Sequence, residues 1–392
     1  MASWLNNMEK FKSLLAVTGC AVTMFVGVSI YNKNEKFYKK VAMPIIHLLD
    51  PETAHKLGIK LLKWGLVPKG NTTDSKLLET TLLRMKFRNP IGMAAGFDKH
   101  AEAVQGLSNC GFGFVEIGSV TPEPQEGNPK PRVFRLPEDK ATINRYGFNS
   151  EGYSIVWSRL KKLREAKESD IIIGVNLGKN KNTEDAAEDY VNGIKTFSDV
   201  ADYFVINVSS PNTPNLRTLQ RKQKLEDLLA AINKIRESSN IKTPLFLKLA
   251  PDLSSQERQD IADVIQNNKT KVDGLILCNT TINRPNLINT NYENETGGLS
   301  GAPLNYISTT MISDMYKRTK GTIPIIGVGG VFSGEDALAK IKAGASLVQL
   351  YTSYTYYGPP IVSKIKTELN DLLKKEGYNS VADAVGKNNI IK

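Results

Sequence analysis

From residue 71 to the C-terminus the sequence alternates between two hydrophobic periodicities, and that alternation restricts the fold more than any other feature. Eight short runs rich in β-branched and aromatic residues occupy positions 90–95, 112–119, 171–177, 203–208, 245–249, 274–278, 323–328 and 347–351. Helical candidates separate them. Residues 183–200 have an acidic first turn, 219–237 follow, 254–266 open as Ser-Ser-Gln-Glu, and 333–342 open as Ser-Gly-Glu-Asp. Near-continuous apolar strands must be covered on both faces, so eight of them with intervening helices predict an α/β chain folded as a parallel (β/α)8 TIM barrel, whose sites lie on the loops after the strands. A doubly wound sheet would carry Gly-x-Gly-x-x-Gly after its first strand, and an NTPase would carry Gly-x-x-x-x-Gly-Lys-Ser/Thr. Neither motif occurs.

The first 70 residues follow different rules. Residues 13–32 are uncharged and mostly apolar, and as a helix they would reach about 30 Å, the thickness of a bilayer core. Lys12 stands on one side, with Lys33, Lys36, Lys39 and Lys40 on the other. This predicts an N-terminal transmembrane anchor over 1–32, in preference to a cleaved signal or a buried core helix. Apolar residues then recur at three- and four-residue steps over 37–49 (Val41, Ile45, Leu48, Leu49) and 51–66 (Leu57, Leu61, Leu62, Trp64), with lysines between them and Asp50-Pro51 as the break. Residues 33–70 therefore read as a small amphipathic two-helix domain, lying in a membrane interface or packed as an ordinary hairpin. Residues 71–392 are the barrel. Of the net charge of +11, more than half belongs to residues 1–70, which hold ten Lys, no Arg and four acids. An excess placed there suits lipid and argues against a nucleic-acid partner. Three scattered cysteines and three histidines, all of the latter before residue 101, leave no disulfide framework, metal site or late catalytic histidine.

Strand ends hold a barrel's chemistry. The first reads Ala94-Ala95-Gly96-Phe97-Asp98-Lys99, the third Asn176-Leu177-Gly178-Lys179, the fourth Asn207-Val208-Ser209-Ser210-Pro211-Asn212, and the sixth runs into Asn279-Thr280. Converging carboxamides suit a planar heterocycle with amide-like N–H and C=O groups. Lys99 and Lys248 add positive charge for a carboxylate or an anionic reduced cofactor, and Lys248, inside an apolar run, is too costly to bury without a partner. Gly327-Val328-Gly329-Gly330 before a helix, Gly297-Gly298-Leu299-Ser300-Gly301, and Tyr351-Thr352 predict a phosphate site beside the last two strands.

Seven motifs together resemble one family: 93–99 (MAAGFDK), 114–122 (FVEIGSVTP), 144–149 (NRYGFN), 176–180 (NLGKN), 207–213 (NVSSPNT), 295–301 (ETGGLSG) and 324–330 (PIIGVGG). In order and spacing they are similar to the membrane-bound, class 2 dihydroorotate dehydrogenases of animal mitochondria, from about residue 37 to the C-terminal helix. That resemblance implies oxidation of dihydroorotate to orotate, with FMN as cofactor and ubiquinone as acceptor, in pyrimidine (UMP) biosynthesis. It implies FMN against Ala94, Ala95, Gly96, Lys99, Ser119, Asn144, Asn176, Asn207, Lys248, Thr280, Ser300, Gly301, Val328, Gly329, Gly330, Tyr351 and Thr352. Substrate would meet Lys99, Asn144, Tyr146, Gly147, Phe148, Asn149, Asn207, Asn212, Asn279 and Thr280. Ser210 would be the base, aided by Lys99, Phe148 and a water relay through Thr213. Met43, Pro44, Leu49, Ala54, His55, Ile59, Arg135, Tyr351, Thr355 and Pro359 would line a quinone tunnel. Cys278 stands where the family pattern has threonine.

The resemblance further implies a monomeric, single-pass protein of the mitochondrial inner membrane, its catalytic domain facing the intermembrane space. The Lys33–Lys40 cluster, read by the positive-inside rule, would instead leave the barrel in the matrix. Serine is a weak base for a carbon acid and needs help. The soluble relatives use cysteine, which is absent from residues 207–213, and the 2-hydroxy-acid oxidases need a late histidine, also absent. Other FMN-dependent or phosphate-binding barrel enzymes, such as a phosphosugar isomerase, and an inactive membrane-tethered flavin barrel remain as alternatives. The colour of the purified protein, and its bleaching by dihydroorotate, separate them.

Overall fold

In a computed structural model of the chain, which describes residues 2–70, 74–167 and 170–389, eight parallel strands close into a barrel in sequence order. They are β1 Ile91–Met93, β2 Phe114–Val120, β3 Ile172–Leu177, β4 Tyr203–Asn207, β5 Leu245–Leu249, β6 Gly274–Leu277, β7 Ile325–Val328 and β8 Ala345–Leu350. Each corresponds to one of the eight predicted runs, and β8 pairs with β1 to close the ring. Small and large residues alternate inside. A Cβ added to Gly92, Gly174 or Gly274 would lie 2.4, 2.1 or 2.2 Å from the ring of Phe114, Tyr203 or Phe246 on the next or preceding strand. The rings thus fill the volume the glycines vacate.

Those rings form an inner core near the N-terminal ends of the strands, and a hairpin of Thr80–Leu82 with Met85–Phe87 closes it by adding Leu82 and Phe87. Phe87 meets Phe114 edge to face at 5.4 Å. With that end plugged, access is confined to the opposite, C-terminal end. There a three-stranded antiparallel sheet, Val133–Leu136, Ala141–Asn144 and Gly298–Gly301, covers part of the mouth. Helices pack outside the barrel. The 255–266 helix begins with the expected capping box: Ser254 Oγ accepts from Glu257 N at 3.2 Å, and the Glu257 carboxylate accepts from Ser254 N at 2.8 Å.

The long helix α1, Ala2–Tyr31, exposes Phe11, Leu14, Leu15, Val22, Met24 and Phe25, and its Asn7–Tyr31 segment is long and apolar enough to cross a membrane. Residues 37–49 do not form the single helix their periodicity suggests. Pro44 has no N–H to donate to the carbonyl of Lys40, and Tyr38–Ala42 take one π-helical turn closed by Met43 N onto Tyr38 O. Helix α2, Pro51–Lys63, starts as predicted, with Pro51 in its first turn and the Asp50 carboxylate accepting from Thr53 N at 2.9 Å. The side chains of Val41, Ile45, Leu48, Leu57, Trp64 and Leu66 are exposed, Leu48 to 86 %. Phe37, Tyr38 and Met43 pack instead against Val26 and Ile30 of α1. One face of the hairpin is thus packed against protein, and the other carries exposed apolar side chains.

Candidate active site

The floor of the barrel mouth is a buried polar network. Glu116 on β2, wholly buried, accepts at one oxygen from Asn176 Nδ2 (2.7 Å) and Lys248 Nζ (3.2 Å), and at the other from Gln349 Nε2 (2.6 Å). Lys248 thus has the partner that its place in an apolar strand demanded. One layer up, Asn207 donates to Ser119 Oγ at 2.9 Å, and Ser119 in turn donates to Asn176. Asn279 Nδ2 reaches Asn207 Oδ1 and Ser209 Oγ at 3.2 and 3.0 Å. Hydrogen-bonded to one another, these amides are fixed in orientation before any ligand arrives.

Above this floor lies a single cavity enclosing about 1150 Å³ of space between atoms, mouth included. Every residue expected around cofactor or substrate lines it except Asn176, which stands behind Ser119 and orients it. Ser210 lines it and is nearly buried; Asn212 N donates to its Oγ at 3.3 Å. Arg217 braces this loop by donating to Ser209 O (3.0 Å), Thr280 O (2.9 Å) and Asp252 (2.8 Å). Thr213 does not line the cavity; it is buried, and its Oγ1 has no partner among the described residues. The Phe148 ring packs against Gly178, where a Cβ would come within 2.9 Å of it. Cys278 lines the cavity as a neutral thiol, its pKa pushed up to about 12 chiefly by burial.

Lys99 is presented by a loop that Asp98 holds, its carboxylate accepting from Glu102 N and Ala103 N at 2.9 and 2.7 Å. The Lys99 ammonium sits 3.8 Å from the centroid of the Tyr146 ring. Burial, and then the Arg132 guanidinium, pull its pKa down to about 7. An anion entering the cavity restores the charge.

At the far side of the mouth three glycines adopt left-handed φ values: Gly301 (+101°), Gly329 (+120°) and Gly330 (+68°). A Cβ at Gly330 would lie 2.6 Å from the Asn305 backbone. Only glycine lets the chain turn here against the start of the preceding helix, Asn305–Arg318, leaving backbone at the cavity wall. Thr352 Oγ1 donates to Ser300 Oγ at 3.0 Å beside them.

A second cavity, enclosing about 1390 Å³ between atoms on the same basis and predominantly apolar, lies between residues 30–68 and the barrel. Of the expected tunnel residues it is lined by Met43, Ala54, His55, Arg135, Tyr351, Thr355 and Pro359. Pro44, Leu49 and Ile59 do not line it. Pro44 and Leu49 lie on the exposed face, and Ile59 faces a separate polar cleft with Glu52, Lys56 and Lys63. For Ile59 the reason is helical phase: Pro51, Ala54, Gly58, Leu61 and Leu62 share one side of α2, and 52, 56, 59 and 63 the other. Sequence reasoning missed Ile30, Tyr38, Ile46 and His47 in this wall. His55 Nε2 donates to Phe97 O at 2.7 Å, and burial lowers its pKa to about 4, so the ring is neutral with Nδ1 left as an acceptor. Arg135 Nη1 donates to His47 O and Leu49 O at 2.9 and 3.0 Å, tying the hairpin to the antiparallel sheet. Four residues, Val133, Thr142, Tyr146 and Tyr351, border both cavities.

Comparison with known proteins agrees with this arrangement. The family model for dihydroorotate dehydrogenase matches residues 77–373. A mitochondrial dihydroorotate dehydrogenase (quinone) of Mus musculus is 50% identical over 98% of each chain, and a dihydroorotate dehydrogenase (quinone) of Xanthobacter autotrophicus is 49% identical over 88% of this chain and 98% of its own. A crystal structure of the Eimeria tenella enzyme in complex with ferulenol superposes with a TM-score of 0.84 at 42% identity, over 88% of this chain and 98% of that one. Barrel, mouth and helical hairpin share their sequence with proteins of one kind along nearly the whole chain, and the chain belongs to the dihydroorotate dehydrogenase family, in its quinone-dependent branch.

Proposed function

We propose that this chain oxidises dihydroorotate to orotate with bound FMN and passes the electrons to ubiquinone, as a step of UMP synthesis, while anchored in the mitochondrial inner membrane by a single pass of residues 1–32 with its barrel in the intermembrane space. The observation that carries this reading is the pair of adjoining cavities. One is polar and holds Ser210, Lys99 and a ring of amides; the other is apolar; four residues are common to both. In this reading residues 33–70 form the quinone tunnel, residues 71–392 the catalytic barrel, and one chain suffices for both half-reactions.

The residues present fit FMN. The glycine cradle of Gly301, Gly329 and Gly330, with Ser300, Tyr351 and Thr352, suits a phosphate. Ala94, Ala95, Gly96, Ser119, Asn144, Asn176, Asn207, Lys248, Thr280 and Val328 supply small residues, amides and one charge for the rest. When bound, FMN supplies the hydride acceptor for one substrate and the electron donor for the other.

The protein's own part is binding and proton handling. Lys99 meets the substrate carboxylate and favours the conjugated product. Asn144, Asn149, Asn212, Asn279 and Thr280, with Tyr146, Gly147 and Asn207, hold the ring's N–H and C=O groups. The Ser210 hydroxyl receives the proton from the carbon next to the ring carbonyl and passes its own through a water toward Thr213, whose unpartnered Oγ1 gives that water a place to bind. Phe148 closes the relay from bulk solvent. Replacement Ser210→Ala is expected to slow flavin reduction by dihydroorotate by roughly 10² to 10⁴ with FMN retained. Anaerobic stopped flow measures it, and a rate within about threefold of the parent would refute the assignment.

A further inference from the structure

Lys340 lies on the helix Gly334–Ala343, which follows β7, and its side chain has no solvent exposure. It does not line the cavity. Lys248 and Lys366 are also buried, and each meets a carboxylate: Glu116 at 3.2 Å and Asp74 at 2.6 Å. Lys340 has no carboxylate within ion-pair distance among the described residues. Its ammonium donates to Ser308 Oγ, to Thr309 Oγ1 (2.9 Å) and to Asn305 O (3.3 Å), all in the first turns of the helix Asn305–Arg318. The nearby carboxylate of Asp336 is occupied elsewhere, accepting from Asn305 Nδ2 (3.0 Å) and Phe332 N (2.8 Å). Burial pulls the amine down to about 8, the Cys278 thiol and the Asp336 carboxylate acting more weakly in the other direction.

A methionine would fill this space without the cost of desolvating a charge. The charge therefore calls for an anion, and two of the residues it donates to, Ser308 through its hydroxyl and Asn305 through its backbone carbonyl, indicate where that anion sits. Ser308 Oγ lies 3.3 Å from Gly329 O, and Asn305 Nδ2 donates to Gly330 O at 2.6 Å. The ammonium is thus one side chain removed from both glycines of the cradle, on the side away from the cavity.

We propose that Lys340 is a positioning and specificity residue: from beneath the Gly329–Gly330 turn it supplies the positive potential that a doubly charged phosphate needs, and so sets the preference for FMN over its dephosphorylated form, riboflavin. The inference rests on the FMN reading above. Because the interaction is with the phosphate alone, it separates from general effects on the fold. A unit charge acting across a few ångströms of protein interior on a dianion is worth a tenfold or larger change in affinity, at roughly the effective dielectric of such sites.

The test measures dissociation constants of FMN and riboflavin by flavin fluorescence on the full-length apoprotein, for the parent, Lys340→Met and Lys340→Gln. The parent should bind FMN much more tightly than riboflavin; failure there overturns the FMN reading itself. In both variants FMN affinity should fall at least about tenfold while riboflavin affinity stays within about threefold. Glutamine keeps a neutral N–H donor on a polar side chain one bond shorter, so it carries the test if methionine disturbs the fold. Equal losses for both flavins, unchanged FMN affinity, or failure of both variants to fold would each show that the lysine serves packing, and would overturn the proposal.

Discussion

The ion pair between Glu52 on α2 and Arg132, just ahead of the antiparallel sheet, makes a quantitative forecast. Arg132 Nε and Nη2 donate to the two carboxylate oxygens at 3.0 and 2.9 Å, and both side chains are less than one-tenth exposed. Burial would raise the Glu52 pKa, but the Arg132 hydrogen bonds and charge, then Lys130 at 3.6 Å and Lys56 at 3.5 Å, bring it down to about 2 from 4.5. At about 1.4 kcal/mol per pH unit the net shift corresponds to some 3 kcal/mol. The two lysines are mostly in water and their shares are screened, which reduces the figure to about 2 kcal/mol. Neutralising one partner also strands the other, at a cost of about 3 kcal/mol or more. Glu52→Gln is therefore expected to destabilise the docking of residues 51–63 by about 2 to 4 kcal/mol. The contribution is complete above pH 4.5 and is lost as the pH falls from there toward 2, because the folded carboxyl holds its proton less tightly than the unfolded one. Hydrogen exchange of α2 amides at neutral pH reads the opening free energy, and the same measurement on Glu52→Gln with Arg132→Met tests the pairing. The double variant should recover part of the loss, since no charge is then left buried alone. A single-variant cost below about 0.5 kcal/mol, or no recovery in the double variant, would refute the reasoning.

Truncation should separate the two half-reactions: a chain lacking residues 1–32 should be more soluble and keep full turnover with detergent-dispersed quinone, as steady-state assays would show. One lacking residues 1–68 should remain yellow and be reduced by dihydroorotate, yet fail to be reoxidised by long-chain quinone in stopped flow, because one wall of the apolar cavity is gone. Lys248→Met should leave Glu116 as an unpaired buried charge and cost about 3 to 5 kcal/mol in chemical denaturation, with loss of bound flavin.

The strands of the barrel were legible because each is buried on both faces and so reads as an unbroken apolar run; the positions of Ser254, Ser333 and Asp50 marked helix starts because their side chains cap them. The antiparallel cover was not legible. Its strands are four residues long, and Gly298–Gly301 pairs with Ala141–Asn144 across more than 150 positions, so no local pattern records the pairing. The hairpin at 80–87 turns through Leu83 and Arg84, both at positive φ, without the glycine or asparagine that usually marks such a turn. In the site, the motif residues gathered as expected, but Glu116 was missed although a signal was present. A lone carboxylate in the strand Phe114–Val120 and a lone ammonium in Leu245–Leu249 are each too costly to bury alone, and pairing them resolves both. The tunnel residues went astray where phase matters most. Periodicity identified α2 as amphipathic but could not say which of its two buried sides, that of Ala54 and Leu62 or that of Glu52 and Ile59, meets the apolar space.

Among the described residues none before Ala94 lines the polar cavity, whereas residues 30–68 supply more than half of the apolar one. On the proposed assignment the two substrates face different parts of the chain, which can diverge at different rates. Substitutions in the helical hairpin can retune which hydrophobic molecules enter without touching the groups that hold the pyrimidine ring. On that assignment an inhibitor seated among Ala42, Ile46, Gly58 and Leu61 would not be displaced by raising the dihydroorotate concentration. Resistance to such a compound would likewise arise in a segment that lines no part of the polar cavity.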